Sequence, residues 1–354
     1  MPTMTPLMKK SGTKLSLAFK ILLCACTVYT AGLPLPGPAG WPGASAAEAA
    51  AATATATAAG LAGLQAGEPT PEAVRRFAAD AIGQLAQAEP FTAWAGAATA
   101  IEPLGPGTHS WLVTVAAASA TGRDGASPLP ASAQRGYLII SATESGDYKL
   151  VEYGMGAYSV FDRALLEAAL RSSGLGAAET AGGVTAVPLY AGPALAEWMV
   201  RLPEGGEPRF VHAADGEWLP ETAGSWDKQA AGYAAPRLAA GSRDPLTPGR
   251  IVYTSDRFDP YDNLLWMTGN PLTIQPDTFI DKLKASKQLV YAASGPERTY
   301  SFPLPVYGFQ TWTDRGEPND QRTPAPVYVL TGSDTAIRLI ALDALLGSGK
   351  FVAF

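Results

Sequence analysis

The sequence predicts an α+β fold: antiparallel meanders with a few packed helices, arranged as two consecutive units behind an export signal. Three observations predict it. Short runs alternate apolar and polar residues and are separated by Asp/Gly turns, a few segments carry helical periodicity instead, and the N-terminus runs from basic to apolar in a way nothing downstream repeats.

The N-terminus comes first. Lys9, Lys10, Lys14 and Lys20 precede an uncharged run of 13 residues, Ile21 to Leu33, and a small-x-small site follows at Ala44-Ser45-Ala46. A spanning helix needs about 20 apolar residues, so residues 1–46 are expected to be a cleaved signal peptide. Leu23-Cys24-Ala25-Cys26 also outlines a lipoprotein site at Cys26, although Thr27-Val28-Tyr29-Thr30 continues the apolar run where a polar tether would begin. Membrane attachment is therefore expected only through an uncleaved signal or a lipidated Cys26. Both cysteines lie inside this segment, so the remainder has no disulfide, thiol nucleophile or zinc-thiolate site.

Residues 47–69 are nearly all Ala, Thr and Gly, with nothing large to bury, and are expected to be a disordered linker. The chain as a whole has the composition of a globular protein: 47% hydrophobic, 16% charged, with 30 prolines and 37 glycines to make turns. The formal net charge is −6 and four of the lysines belong to the signal. With no basic stripe to meet a phosphate backbone, a nucleic-acid partner is not expected.

The first folded unit, 70–225, opens with a helix over 70–88. Thr70 is placed to cap it, Pro71 to start it, and Val74, Phe77, Ala78, Ala81, Ile82 and Leu85 form its apolar face. Trp111, Val113 and Val115 then share one side of a strand over 109–115. Strands at 137–142 and 148–153 flank the turn Glu144-Ser145-Gly146-Asp147, and 118–133 reads as an exposed loop. A second helix is predicted over 162–172, stopped by Gly174. A second meander follows from Val184 to Leu219.

Within that meander, the strand Trp198-Met199-Val200-Arg201-Leu202, the Gly205-Gly206 turn and the run Arg209 to Leu219 with its Asp215-Gly216 turn resemble the closing part of PepSY-type modules and the related propeptide domains of exported bacterial peptidases. The resemblance lies mainly in 195–219 and extends loosely over 70–220. It implies an inhibitory or chaperoning module without catalytic residues. No peptidase motif follows in the chain.

Pro, Gly, Ala and Arg dominate 234–248, where a boundary is expected. The C-terminal part, 245–354, is read as β-rich α+β: strands near 250–254, 288–292, 306–312, 327–331 and 337–342, and helices over 277–285 and 343–346. It either forms a unit of its own or extends the first sheet.

Candidate chemistry is sparse. His109 and His212 are the only histidines, with no His-Glu-x-x-His spacing, so ordinary strand positions are expected for both rather than a metal site. No Gly-x-Ser-x-Gly elbow is present. Ser225-Trp226-Asp227-Lys228 and Tyr261-Asp262-Asn263 match two elements of penicillin-recognising enzymes, but the Lys-Thr-Gly element is missing and Ser225 sits in turn-like sequence. Asp256, Asp259 and Asp262 lack the central glycine of a calcium loop and read as turn residues. Gly347-Ser348-Gly349-Lys350 imitates a P-loop without its first glycine. Trp198, Trp218, Trp226, Trp266 and Trp312, with Tyr300, Tyr307, Phe309 and Tyr328, are expected in the core rather than on a ligand platform.

No catalytic, cofactor-binding or metal-binding residue is therefore assigned. The expectation is a bacterial, secreted or cell-envelope protein, non-enzymatic, that binds a peptide, a polymer or an exported partner through a sheet edge or aromatic face. The alternative is an extracellular hydrolase whose paired carboxylates meet only in the fold.

Overall fold

Sixteen strands and five helices organise the computed structural model, which describes residues 70–116, 135–176, 183–202, 204–237, 246–294, 300–314 and 325–354. The signal, the linker and the loop expected at 118–133 lie outside these residues. Those described belong to one compact unit within Ala52–Phe354, and no helix among them is long and apolar enough to cross a membrane.

Helix α1 (Glu72–Leu85) buries Val74, Ala78, Ala81, Ile82 and Leu85, the face its periodicity predicts. Its cap differs from expectation. Pro71 is extended and its carbonyl accepts from Val74 N at 3.0 Å, so the helix begins one residue later and Thr70 makes no capping bond. A turn of 3-10 helix, Thr92–Trp94, then leads into β1 (Ala98–Leu104), which the sequence reading did not predict.

The main sheet has nine strands and curls into a half-barrel. It begins with β1, β2 (Ser110–Ala116), β3 (Arg135–Ala142) and β4 (Tyr148–Gly156) as consecutive antiparallel neighbours. The β3–β4 hairpin closes through Thr143 and Asp147, with Gly146 at φ +86°, as its Ser-Gly-Asp sequence predicts. Next to β4 lies β15 (Ala336–Ala341), followed by β14 (Val327–Ser333), β13 (Gly308–Asp314) and β10 (Val252–Tyr253), with β9 (Leu246–Pro248) also on β13. Since β4 pairs β15 from Gly156↔Ala336 to Glu152↔Ile340, the C-terminal part extends the first sheet.

Strand alternation gives this sheet two buried faces. On one, Val113, Val115, Leu138, Leu150, Tyr153, Tyr328, Leu330 and Leu339 pack with α1, Phe91 and Trp94. The other face is divided between two smaller sheets. Leu112, Tyr137 and Ile139 meet α2 (Arg163–Ser172) and the four-stranded sheet β5 (Thr185–Tyr190), β6 (Ala196–Arg201), β7 (Arg209–His212), β8 (Trp218–Leu219). Phe309, Val329 and Ile340 meet α4 (Phe279–Ser286) and the three-stranded sheet β12 (Phe302–Val306), β11 (Leu289–Ala293), β16 (Gly349–Ala353).

Two expectations are corrected. The run 306–312 is not one strand: it breaks at Tyr307, and β12 and β13 belong to different sheets. Gly349 and Lys350, of the P-loop-like run, begin β16. Ser225 sits in helix α3 (Ala223–Ala230), where Thr222 and Ser225 form a reciprocal capping box that overrides the turn-like Gly224. Helix α5 (Leu342–Leu345) is the short turn expected after β15.

Candidate functional sites

Between the two smaller sheets, on the main sheet's divided face, lies a seam of buried polar side chains. Glu152 on β4 is fully buried, and its Oε1 accepts from Arg338 Nε on β15 at 2.8 Å. Tyr137 Oη donates to the same carboxylate. Burial first, then Glu152, raises the pKa values of Tyr137 and Tyr190 well above that of an ordinary phenol, so both stay neutral. Burial alone would lower Arg338, but Glu152 and Tyr137 outweigh it and the guanidinium is held firmly charged.

The second half of the seam is acidic. Tyr300 Oη lies 3.2 Å from Glu197 Oε1 and 3.1 Å from Glu221 Oε2, so one phenol proton serves two carboxyl groups. Gln229 Nε2 donates to Glu221 Oε2 at 3.0 Å, and Ser225 Oγ donates to Glu221 Oε1. His212 faces Glu197 across the β6–β7 ladder, packs against Phe302 with ring centroids 3.9 Å apart and places Nδ1 2.8 Å from Asp215 Oδ2. Burial would raise the Asp215 carboxyl, yet His212, the Glu217 backbone N–H and Arg338 together hold it below the usual carboxylate value.

Access to this acid pair is restricted. Glu197 is 1% exposed and Glu221 7%. A cleft of about 410 Å³ opens beside them and shares Gln229 and Tyr190 in its wall. Its charged side chains are engaged with neighbours: Arg237 with Glu144 at 3.2 Å, and Asp343 with Lys149. The rest of the wall is uncharged, with small stretches at Gly192-Pro193-Ala194 and Gly347-Ser348 beside Leu195, Tyr233 and Leu346.

A groove of different character, about 470 Å³, runs between α1 and β1. Arg75, Ala79, Ile82 and Gly83 recur at the spacing of one helix face and form one wall; Ala97, Thr99 and Ile101 form the other; Trp94 lies in the floor. The seven residues of β1 pair with β2 along their whole length, from Ala98↔Ala116 to Leu104↔Ser110. On its other side β1 is the sheet's terminal strand, and the main-chain groups of 98–103 meet no strand there among the described residues. The far end is pinned where Tyr190 N donates to Gly105 O at 2.9 Å. Pro103, which lacks an N–H, suits such an edge.

The residues singled out in the sequence do not assemble a catalytic constellation. His109 is exposed, His212 is buried in β7, and no group of three or more ligating residues suited to a metal occurs among the described residues. Ser225 is committed to the cap and to Glu221. Asp259 and Asn263 cap successive 3-10 turns at 2.9 and 3.1 Å. Trp198, Trp226, Trp266, Trp312, Tyr307, Phe309 and Tyr328 are all buried, and Trp218 and Tyr300 half-buried, so these nine do not form an exposed aromatic platform. Sequence reasoning missed the groove because it missed β1, and it missed the seam because Glu152 and Arg338 are 186 residues apart. Comparison with protein-family models, curated proteins and solved structures finds no match.

Proposed function

We propose that this chain is an exported, envelope-associated binding protein that takes an extended polypeptide as an added strand along β1. The observation that carries this reading is the juxtaposition of a seven-residue terminal strand with a groove of about 470 Å³ walled by one helix face. Unpaired N–H and C=O groups along an edge template another strand, and the groove beside them receives alternate side chains of the incoming chain. Ala79, Gly83, Ala95, Gly96 and Ala97 are small, which leaves room for those side chains. The PepSY-like resemblance fits a module that contacts peptide without cleaving it.

The test is panning of a random nonapeptide phage library on the immobilised full chain, followed by amide hydrogen exchange with an enriched peptide bound. Slowed exchange across 98–104, and loss of binding when alternate peptide nitrogens in one register are methylated, are the expected results. Failure to enrich any sequence, or binding that leaves 98–104 unprotected, overturns the reading.

A hydrolase is the second reading, favoured by Glu197 and Glu221 meeting on Tyr300. Cleavage of the enriched peptides that Glu221→Gln abolishes would put it in place of the first. Export is checked separately by fractionation and intact mass. A chain beginning after Ala46 in medium or envelope is expected; an uncleaved chain confined to the cytosol contradicts it.

A further inference from the structure

Two hydrogen-bond donors in the α1–β1 groove are without acceptors among the described residues. Trp94 is fully buried in the groove floor and its Nε1 has no hydrogen-bond partner. A buried indole N–H normally finds one, since leaving it unmet costs free energy. Arg75, on the helical wall, is exposed and makes no ion pair or side-chain hydrogen bond among the described residues. Of the residues at helical spacing from it on α1, Ala79 four on and Ala78 three on carry no charge, and Glu72 three before makes no ion pair with it among the described residues. The remaining lining is apolar or hydroxyl, namely Thr70, Thr99, alanines, glycines and isoleucines, and among the described residues no acidic side chain lines the groove. A site that offers a cation and an indole donor, with no carboxylate of its own, is complementary to an anion.

We infer that the strand captured along β1 carries an aspartate or glutamate, whose carboxylate sits between Arg75 and Trp94. This rests on the strand-addition reading and adds the ligand's charge to it. The main-chain ladder supplies affinity without regard to sequence, so the pockets for alternate side chains must supply the choice. Here the choice falls on an acid. Arg75 is exposed, so its pairing is salt-screened and moderate in strength.

The experiment compares phage pools enriched from the same random nonapeptide library on three full-length proteins: the parent chain, Arg75→Gln and Arg76→Gln. Arg76 is exposed on α1 but outside the groove, so its variant has the same loss of charge without the proposed contact. The parent and Arg76→Gln pools are expected to share an Asp or Glu at one position, and the Arg75→Gln pool to lose that preference. Changing this acid to its amide in a synthetic peptide should weaken binding to the parent by about five-fold at low salt, and leave binding to Arg75→Gln unchanged. Enriched peptides that protect 98–104 but show no acid preference would overturn this inference alone. No enriched peptides at all would remove the reading beneath it. An acid preference that survives in Arg75→Gln and disappears in Arg76→Gln also overturns the assignment.

Discussion

Arg338→Met is expected to lower the stability of the folded chain by about 3–5 kcal/mol, because it removes one partner of a buried ion pair and leaves the other charged and unmatched. Glu152 has no exposed surface and Arg338 only 6%, so water cannot take over the lost contact. The donation from Tyr137 remains, but a neutral phenol does not cancel a carboxylate. Glu152→Gln should be damaging for the mirror reason, as the guanidinium is then stranded. The double variant Glu152→Leu with Arg338→Met is the informative control. Replacing a buried pair by apolar residues of similar volume is often neutral, so much of the loss should return. Urea unfolding followed by tryptophan fluorescence measures all four proteins. A single-variant loss under about 1 kcal/mol, or a double variant no better than the singles, would show that the pair is not the electrostatic unit its 2.8 Å contact describes.

The position of that pair explains its importance to the architecture. It spans β4 and β15, where the first strand run of the main sheet joins the C-terminal run. It also lies on the face divided between the two smaller sheets, whose apolar clusters are distinct. A specific, directional contact at such a joint disfavours a register slip, which would turn Glu152 and Arg338 into apolar surroundings on the α1 side.

Much of the scaffold was legible in the sequence for local reasons. Helix α1 is written in the spacing from Val74 to Leu85, and the β3–β4 hairpin in Ser145-Gly146-Asp147 between two apolar runs. The α+β class, the 163–172 helix and the β6–β7–β8 meander follow from signals within about ten residues of each other. Strand β1 was hidden because Ala-Thr-Ala-Ile-Glu-Pro-Leu has little alternation, and an edge strand with one wet side has little need of it. Tyr307 lies between two strands of different sheets, a division that only tertiary pairing decides. The seam had one readable trace. Glu152 and Arg338 each interrupt an otherwise apolar strand, Leu150-Val151-Glu152-Tyr153 and Ile337-Arg338-Leu339-Ile340, and opposite charges in two such places are a reason to pair them. Glu197 interrupts the apolar run Leu195 to Val200 in the same way, but its partners Glu221 and Tyr300 left no such mark, because β6, the residue before the α3 cap and the residues before β12 are joined only in three dimensions.

Gly136→Ala should test how the groove is held in place. A methyl group at Gly136 would lie 2.0 Å from Trp94 Cζ2 and 2.6 Å from Cε2, well inside contact distance. The indole has little freedom to retreat, since it is fully buried and its ring centroid is 4.7 Å from that of Phe91. Overpacking of this kind costs about 1–3 kcal/mol, and here it displaces the groove floor as well. Gly136 pairs with Val115 on β2, the strand that carries β1, so strain at this point can shift the edge itself. The variant should therefore lose stability and weaken capture of an enriched nonapeptide together. Trp94→Phe, which shortens the ring and removes the N–H, should relieve the clash when combined with Gly136→Ala and give a favourable coupling energy in a double-variant unfolding cycle. The acid preference should stay weakened in that combination even where stability returns, because the indole donor is gone. If Gly136→Ala keeps the parent's stability and peptide affinity, the glycine is not what seats Trp94; if the double variant regains the full acid preference, Arg75 alone reads the carboxylate.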